Sequence, residues 1–595
     1  MNRARGFCVA AGLLAAATCL AGRPAAAVCA GDCNADGIVG VDEVVTLVNI
    51  ALGDAVIGTC AAGDLSQDGQ ITVDEILAAV NRALNGCPAQ PLALWAAVHF
   101  DQRQESINPQ LIGTVQAAPL ADANQLLQTL VHPASMRLDV GFENSGCPDG
   151  SVSGPLYDAA TNTFNYCQLD HRLEQASATG ATPLVIIDYT PLALGDAACV
   201  ASNGHGRGAQ FCPPADLERY GALVEAMIEH VYTSFGVTDF EVWNEPDGFF
   251  FAGTLADYLN IYKACNAAVD RVEAMLGRPG RTFHLGGPAG ASANRTWITA
   301  LLAAAVAQPD LRLDFISWHD YPNHTLGPRP DPSLSAGTYY DDTIKVRGWM
   351  APFQAQRADL QPLLWINEWN ANAFFDYRAD TAYDAAFMVA AMHGMQDAGL
   401  DRSSRYNTWD SSRATPDGFN GNWGLFTHDG DVRPALFGFA LWHQLAPTRV
   451  AVEPLDAASQ TRATASRTRY TQNLLASFDP NTGAATMLLY NFVPYSTADA
   501  APPYCGGGVP MDATLAIGGL AAGSYQMAVQ QIDCSTPIQP VASAALATTV
   551  TTRSIADGTS LELPVPAAGV VLVTLTPAGE AVHARLSEIR APSPE

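Results

Sequence analysis

The sequence is short of positive charge. Only 31 of its 595 residues are Lys or Arg, against 59 Asp and Glu, so the formal net charge is −28 at pH 7. A surface this acidic repels nucleic acids and anionic membranes, which excludes both as partners. After residue 27 the sequence also lacks an apolar run long enough to span a bilayer. The composition therefore suits an exported soluble protein or a protein that holds cations.

Residues 1–27 have the pattern of a secretory signal, because two Arg residues, an apolar run and a final Ala-Ala-Ala follow one another. We therefore expect the mature chain to be secreted, with association to a cell surface as a further option. Export favours disulfide bonds. The thirteen cysteines predict three local pairs: Cys147–Cys167, Cys199–Cys212 and Cys505–Cys534. Pairing within the group Cys29, Cys33, Cys60 and Cys87 stays open, Cys265 is expected to be buried and free, and the spacing of a zinc site is absent.

Apolar segments alternate with helical or loop segments between residues 110 and 445. Eight of them read as parallel strands: Leu111–Ala117, Ser135–Val140, Pro183–Tyr189, Thr238–Trp243, Thr282–Gly287, Leu313–His319, Leu363–Glu368 and Arg405–Trp409. Eight strands that alternate with helices over roughly 330 residues match the count and length of a (β/α)8 barrel with insertions. The fold class is therefore predicted to be α/β.

Beyond residue 445 the sequence changes to Thr, Val and Ala alternation with frequent turns. Four segments read as antiparallel strands: Leu474–Ser477, Ala485–Phe492, Ser524–Ile532 and Gly569–Thr576. Residues 446–595 are therefore expected to form a β-sandwich that supports the barrel. Residues 92–445 are assigned to the barrel domain, although Leu92–Phe100 is also a candidate strand of the later β domain.

The segment 239–247 reads Asp-Phe-Glu-Val-Trp-Asn-Glu-Pro-Asp, a short buried strand that ends at a carboxylic acid. A helical stripe lies within residues 213–235, and Gly236 follows where helices commonly end. In parallel α/β barrels the chemistry lies at the carboxyl ends of the strands. Glu245 is at such an end, and Pro246 cannot extend the ladder. Glu245 is therefore a candidate catalytic acid, with a helix cap or a surface ion pair as the alternative.

A second strand ends in the same way. Residues 363–370 read Leu-Leu-Trp-Ile-Asn-Glu-Trp-Asn, and Glu368 comes 123 residues after Glu245 (368 − 245). At roughly 30 to 40 residues per βα unit this spacing is three units, which places the two acids on strands four and seven. Those strands face one another across the barrel mouth. Read alone, Glu368 would be a strand-end ion pair; with Glu245 upstream, a catalytic pair is favoured.

The Phe-Glu-Val-Trp-Asn-Glu-Pro-Asp segment resembles strand four of retaining glycoside hydrolases, and its length makes it most similar to glycoside hydrolase family 39, which includes β-xylosidases and α-L-iduronidases. The Glu-Trp-Asn that follows strand seven resembles the nucleophile motif of that family. The resemblance implies a glycosidase that cleaves an oligo- or polysaccharide by double displacement, with Glu245 as general acid/base and Glu368 as nucleophile. Such carboxyl groups lie about 5 to 5.5 Å apart. No cofactor for catalysis is implied.

Other residues match motifs of this family and are expected to bind substrate or support the glutamates: Arg137 on strand two, Asn244 beside Glu245, His319 and Tyr321 at the tip of strand six, and Trp409 after strand eight. The resemblance implies that Asn244 contacts the sugar 2-hydroxyl and that Trp409 stacks on a sugar ring. The family usually continues the strand-two Arg with x-His-Gly. Asp139-Val140 stands there instead, so xylosidase specificity is not carried over.

Residues 29–88 contain two copies of a loop with the ligand order of an EF-hand. The first copy offers Asp32, Asn34, Asp36, the carbonyl of Ile38 and Glu43. The second copy offers Asp64, Ser66, Asp68, the carbonyl of Gln70 and Glu75. Apolar helices are predicted after each loop, at Val44–Leu52 and Ile76–Leu84. Two loops in register indicate a small all-α module that binds structural Ca²⁺.

The loop pair resembles a type I dockerin, the module that docks cellulase-type enzymes on scaffold proteins. It departs from that pattern at positions ten and eleven, Val41-Asp42 and Val73-Asp74, and it has Glu at position twelve where dockerins usually have Asp. The resemblance implies a cohesin-like scaffold as partner through residues 29–88. A calcium-stapled module without a partner is the alternative. For the whole chain, the alternatives to a hydrolase are a silent carbohydrate-binding protein and a calcium-dependent surface assembly component.

Overall fold

A computed structural model describes residues 29–33, 39–66, 68–85, 92–142, 147, 154–278, 281–322, 336–374, 376–411, 422–456, 459–460, 470–492, 505 and 509–579. The chain divides into two compact units, residues 1–91 and 92–595. The predicted signal at residues 1–27 and the predicted calcium ligands Asn34, Asp36 and Ile38 lie outside the described residues. No helix of the described ranges has the length and apolar character to cross a membrane.

The first unit has two α-helices, Val41–Leu52 and Val73–Asn85, and two 3-10 turns, Ile57–Thr59 and Ala61–Gly63. Leu47, Ile71 and Ala79 form its small core. A disulfide joins Cys33 to Cys60 with an S–S distance of 2.06 Å. Each helix begins three residues earlier than its apolar run predicts, because the acid at the predicted loop position twelve lies in the first turn and caps it.

The second unit contains a closed barrel of eight parallel strands, which are called barrel strands 1 to 8 below. In chain order they are Gly113–Val115, Ser135–Asp139, Thr182–Ile187, Asp239–Val242, His284–Gly290, Phe315–Asp320, Leu363–Trp369 and Arg402–Arg405. Each strand pairs with the next in the sequence, and strand 8 pairs with strand 1 to close the ring. The predicted number, order and parallel direction of the strands are confirmed. The predicted start of the last strand is wrong, because strand 8 ends at the residue where Arg405–Trp409 was expected to begin.

A helix follows every barrel strand and covers it on the outside. These helices are Ala121–Leu126 (continued by a π-turn to Val131), Cys167–Ala178, Leu217–Phe235, Leu255–Met275, Arg295–Ala307, Thr338–Gln354, Ala382–Ala398 and Pro434–His443. A short helix, Ala197–Ala201, lies in the long connection after strand 3. Asp216 caps the helix Leu217–Phe235 by accepting from the Arg219 N–H, and Gly236 ends it in the left-handed region (φ 71°).

The remaining strands form one nine-stranded sheet. In spatial order its strands are Thr548–Ile555, Gly523–Ile532, Gly569–Pro577, Ala485–Asn491, Gln472–Phe478, Thr448–Pro454, Leu92–Ser106, Met511–Gly518 and Thr559–Val565. The sheet curls so that its last strand approaches strands near its centre, and the enclosed apolar residues form a separate core. Leu92–Ser106 is an interior strand of this sheet, so the barrel itself starts at Gly113 and not at residue 92.

The sheet covers one side of the barrel. Helices Ala382–Ala398 and Pro434–His443 are buried on nearly all sides, because they lie between the barrel strands and the sheet. The three predicted disulfides Cys147–Cys167, Cys199–Cys212 and Cys505–Cys534 are present, and Cys265 is free and buried.

Candidate active site

The chain bends sharply where barrel strand 4 ends. Trp243 and Glu245 both have left-handed backbone angles, with φ of 72° and 46°. Such angles cost about 1 to 2 kcal/mol per residue for a side chain with a Cβ, and they concentrate at functional sites. Burial of the Trp243 ring and the bond from the Glu245 N–H to the Ala289 carbonyl at 2.9 Å hold the bend. The bend turns Glu245 out of the strand and into the barrel mouth.

Arg137 on barrel strand 2 is the buried centre of the site, with 1% of its side chain exposed. Its Nε donates to Glu241 at 2.8 Å, Nη1 donates to Glu368 at 3.0 Å, and Nη2 donates to Asn244 at 2.9 Å. Burial lowers the pKa of Arg137, but the charges of Glu241 and Glu368 outweigh this effect and raise the pKa above its usual value. The guanidinium therefore stays charged and connects strands 2, 4 and 7.

Glu368 on strand 7 receives a donor on each carboxylate oxygen. Arg137 donates to Oε2, and the Tyr321 hydroxyl donates to Oε1 at 2.6 Å. Burial and the charge of Glu368 raise the pKa of Tyr321 well above its usual value, so this hydroxyl remains a donor. Both oxygens of the Glu368 carboxylate are thus fixed in position by side chains of other strands.

His319 on strand 6 lies between the two glutamates and is completely buried. Its Nδ1 is 2.8 Å from Glu245 Oε1, and its Nε2 is 3.5 Å from Glu368 Oε2. Burial lowers the pKa of His319, but the charge of Glu368 and the hydrogen bond to Glu245 outweigh burial and raise it overall. The two carboxyl groups themselves are 19% and 14% exposed, so substrate can reach them while their partners stay buried.

Glu245, His319 and Glu368 each have a ligand-type atom within 4.8 Å of the others. The two carboxyl groups are therefore close enough for the separation of about 5 to 5.5 Å at which one attacks a sugar and the other transfers a proton. Within the part of the chain that the structure describes, these three residues are also the one group of acids and His spaced to hold a metal ion. Arg137 already donates to Glu368, and its positive charge opposes a cation there.

Glu241 is a residue of this site that sequence reasoning missed. It is fully buried in the middle of strand 4, and it accepts from Arg137, from the Ser317 hydroxyl at 2.5 Å and from the Asn367 amide. The signal was present, because an acid between Phe240 and Val242 in an apolar strand must point into the barrel and needs buried partners. Glu241 fixes the orientation of the guanidinium that reaches Glu368.

Of the predicted substrate-binding residues, Asn244 contacts the buried Arg137, whereas Trp409 lies apart from it. Asn244 accepts from Arg137 and donates to the Tyr189 hydroxyl at 3.1 Å. Trp409 lies beyond the end of strand 8, where its ring stacks on His428 with centroids 5.2 Å apart. Among the contacts of the described residues, Trp409 has none with the other predicted site residues. Its stacking on a sugar stays a prediction.

The tips of strands 2 and 3 add two further carboxyl groups to the barrel mouth. Asp139 is partly exposed and accepts from the Gln116 amide at 3.0 Å. Asp188 is buried and accepts from the Val140 and Gly141 N–H groups. Burial, followed by the charge of Asp139, raises the pKa of Asp188 to about 8.

The described part of the second EF-hand-like loop fits calcium only partly. Asp64 accepts from the Asp68 and Gly69 N–H groups, and the Ser66 hydroxyl donates to it at 3.3 Å, so the start of the loop is already folded. Glu75, the predicted closing group, is a hydrogen-bond acceptor for the backbone around it. Its carboxylate accepts from the Thr72 and Ser66 N–H groups, and these bonds lower its pKa to about 2.

The other predicted calcium ligands that the structure describes also make hydrogen bonds within the unit. Glu43 accepts from the Cys33 and Gly40 N–H groups, which repeats the arrangement of Glu75. Gln70 donates its N–H to Asp68, and Asp32 lies beside residues that the structure does not describe. The loop backbone therefore suits a cation, whereas both closing glutamates are occupied as helix caps.

A closed (β/α)8 barrel with glutamates at the tips of strands 4 and 7, joined by Arg and His, is the architecture of a large class of glycoside hydrolases. Residues 157–478 match the model of the glycosyl hydrolases family 39. The chain belongs to this family.

Two curated relatives are similar to this chain over about half its length. A β-xylosidase from Caldicellulosiruptor saccharolyticus is 28% identical over 309 residues, which cover 49% of this chain and 59% of the relative. A β-xylosidase from Geobacillus stearothermophilus is 24% identical over 332 residues, which cover 52% and 60%. The matched region thus spans less than two thirds of either relative.

Solved structures share the fold. A monomeric β-xylosidase from Caulobacter crescentus aligns with a TM-score of 0.61 at 17% identity, over 82% of this chain and all of that one. A family 39 enzyme from Xanthomonas axonopodis pv. citri aligns with a TM-score of 0.60 at 18% identity, over 82% and 98%.

Proposed function

We propose that the protein is a retaining glycoside hydrolase that cleaves an oligo- or polysaccharide through a covalent glycosyl-enzyme intermediate. The observation that carries the proposal is the approach of the Glu245 and Glu368 carboxyl groups to within 4.8 Å. An inverting enzyme needs roughly 6.5 to 9.5 Å to place a water between its acids. Membership of family 39 supports the same reaction.

In this proposal the two glutamates have different duties because their partners differ. Glu368, oriented by its hydrogen bonds from Arg137 and Tyr321, attacks the anomeric carbon. Glu245 gives its proton to the leaving oxygen, and the bond between that oxygen and the anomeric carbon breaks. When the ester to Glu368 forms, the negative charge beside Glu245 is lost. Glu245 then accepts a proton from water, which attacks the ester and releases the sugar with its original configuration.

The carboxyl groups at the barrel mouth bear on the charge of the sugar that can bind there. Asp139 and the two glutamates place several carboxyl groups around the space where the sugar must lie. A uronic acid would bring one more carboxylate into this region of low dielectric, at a Coulomb cost. We therefore propose a neutral glycone, and β-xylosides are the first substrates to test, because both curated relatives are named β-xylosidases.

Two measurements test the proposal. Aryl glycosides of different sugars identify a substrate, and ¹H NMR of the first product reports its anomeric configuration; retention is expected, and inversion contradicts the mechanism. Glu368→Gln is expected to abolish turnover without loss of folding, because the amide cannot attack the sugar. Binding of sugar with no turnover by the wild-type chain would favour the silent carbohydrate-binding protein instead.

We further propose that residues 29–88 bind Ca²⁺ and dock the enzyme on a scaffold domain outside the cell. The folded start of the second loop supports the cation, and four disulfides support export. Repeated apolar positions support docking, because Val41 and Val73 are 78% and 72% exposed and Leu52 and Leu84 are each 71% or more exposed. Calorimetric titration of the chain with Ca²⁺ tests the first part, and binding to an immobilised cohesin domain tests the second.

A further inference from the structure

The connection that follows Glu245 carries an exposed aromatic side chain. Phe249 comes four residues after Glu245 and is 55% exposed, whereas the next residue, Phe250, is partly buried and Phe251 is buried. Burial of a Phe side chain stabilises a fold by about 2 kcal/mol. An exposed Phe at this position therefore adds less to folding than a buried one, and its exposed face is open to a ligand.

The exposed ring continues an aromatic surface that starts at the catalytic centre. The Tyr189 hydroxyl accepts from Asn244, and the Tyr189 ring lies roughly parallel to Phe250 with centroids 6.3 Å apart. Phe211 packs edge-on against Tyr189, Phe249 and Phe250, at 4.8, 6.0 and 5.3 Å. We call these four residues, Tyr189, Phe211, Phe249 and Phe250, the aromatic ledge.

Hydrogen bonds and a disulfide hold the ledge in place. Arg207 donates to the Gly248 and Phe251 carbonyls, and the Trp243 indole donates to the Phe250 carbonyl at 2.8 Å. On the opposite side, Asp247 accepts from the Ala291 N–H and the Asn294 amide. The Cys199–Cys212 disulfide closes the connection that carries Phe211 and Arg207. Phe249 is thus presented from a fixed backbone, which lowers the entropic cost of binding a ring.

The position of the ledge decides which part of the substrate it meets. If the proposed function is right, Glu368 and the leaving group stand on opposite faces of the anomeric carbon, and Glu245 must reach the leaving oxygen. The leaving group therefore lies on the side of Glu245. The ledge is on that side, because it is formed by the connection after Glu245 and by the neighbouring strand 3 tip.

We propose that the aromatic ledge is the leaving-group subsite and that Phe249 stacks on the flat apolar face of a ring there. An aromatic aglycone and a second sugar ring both present such a face. Phe249 is then a specificity residue for the leaving group, and it makes no contribution to the second half of the reaction, when that group has gone.

Three substrates that share one glycone test this inference: a 4-nitrophenyl glycoside, a disaccharide and a glycosyl fluoride. The fluoride has no ring to place on the ledge, and its C–F bond breaks with little need of a proton. Phe249→Ala is expected to lower kcat/KM by about tenfold for a substrate with a ring as leaving group, and by less than twofold for the fluoride. A fall for only one of the ring substrates assigns the ledge to that kind of ring.

Phe374→Ala is the matched control, because Phe374 is a 41% exposed Phe on the connection after strand 7. Its ratio of kcat/KM between ring substrates and fluoride is expected to equal that of the wild type. An equal fall for all three substrates in Phe249→Ala, or no fall at all, overturns the inference. A wild-type chain that cleaves none of the three overturns the proposed function, and the subsite with it.

Discussion

Glu241→Gln is the change that most sharply tests how the buried charges hold the site. Glu241 offers one oxygen to Arg137 Nε and the other to Ser317 and Asn367. Glutamine has only one acceptor oxygen, so its NH₂ must face at least one of these donors. The substitution therefore removes a buried anion and leaves a donor unsatisfied, with almost no change in volume.

The expected size of the effect follows from burial. Arg137 and Glu241 are 1% and 0% exposed, and breaking a buried ion pair by removal of one partner costs about 3 to 5 kcal/mol. Glu368 remains as a second counter-charge for Arg137, so we expect the free energy of unfolding to fall by about 3 kcal/mol. A shift of Arg137 by about 1 Å would also misplace Glu368 and Asn244, for which a loss of about 100-fold in kcat/KM is expected.

The assay compares denaturant unfolding and kcat/KM of the wild type, Glu241→Gln and a control. Glu273→Gln is the control, because Glu273 forms another buried pair, with Arg312, near the amino ends of strands 5 and 6. The control is expected to lose stability and to keep its activity per folded molecule. Equal activity of Glu241→Gln and the wild type would refute the view that Glu241 orients the catalytic Arg.

Three further predictions follow from single contacts. Tyr321→Phe removes the 2.6 Å bond to Glu368, so kcat/KM should fall by about 10- to 100-fold; an unchanged value contradicts that role. Because the pKa of Asp188 is raised from 3.8 to about 8, its proton stabilises the native state below pH 4, and this stability is lost as pH rises through 8. Between pH 4 and pH 8 the free energy of unfolding of the wild type should therefore fall relative to that of Asp188→Asn, by up to about 1.4 kcal/mol per pH unit. If the free energies of unfolding of the two proteins change with pH in parallel, the prediction is contradicted. Chelation of Ca²⁺ should lower the melting temperature of residues 29–88 and leave glycosidase activity unchanged. A calorimetric trace that EDTA does not change would contradict calcium binding by this unit.

The sequence was sufficient to predict the barrel because its strands are apolar and end in polar tips. Strand 8 shows where that signal fails. Its four residues, Arg402 to Arg405, read Arg-Ser-Ser-Arg, and three of them are nonetheless buried. Ser403 donates to the Leu111 carbonyl, and Arg405 pairs with Asp384 on the helix that follows strand 7. An apolar pattern cannot locate such a strand. The prediction therefore moved to the next aromatic segment and included Trp409.

The approach of Glu245 to Glu368 could be predicted, but the buried Glu241 behind Arg137 could not be derived in the same way. Glu245 and Glu368 each end an apolar strand, so their position alone marks them. Glu241 lies inside a strand, and its role depends on Ser317 and Asn367, which come from two distant strands. The aromatic ledge likewise needs the connections after strands 3 and 4 together. The closed barrel brings together connections that are far apart in sequence. Local sequence patterns do not predict such contacts.

The most direct test of the catalytic pair is mass spectrometry of the protein after reaction with a 2-deoxy-2-fluoro glycoside of the sugar it cleaves. The fluorine slows hydrolysis of the glycosyl ester, so the covalent intermediate accumulates. A peptide that carries the sugar on Glu368 is the predicted result. A sugar on Glu245 or on another residue, or turnover of the parent substrate with inversion and without any adduct, would contradict the assignment.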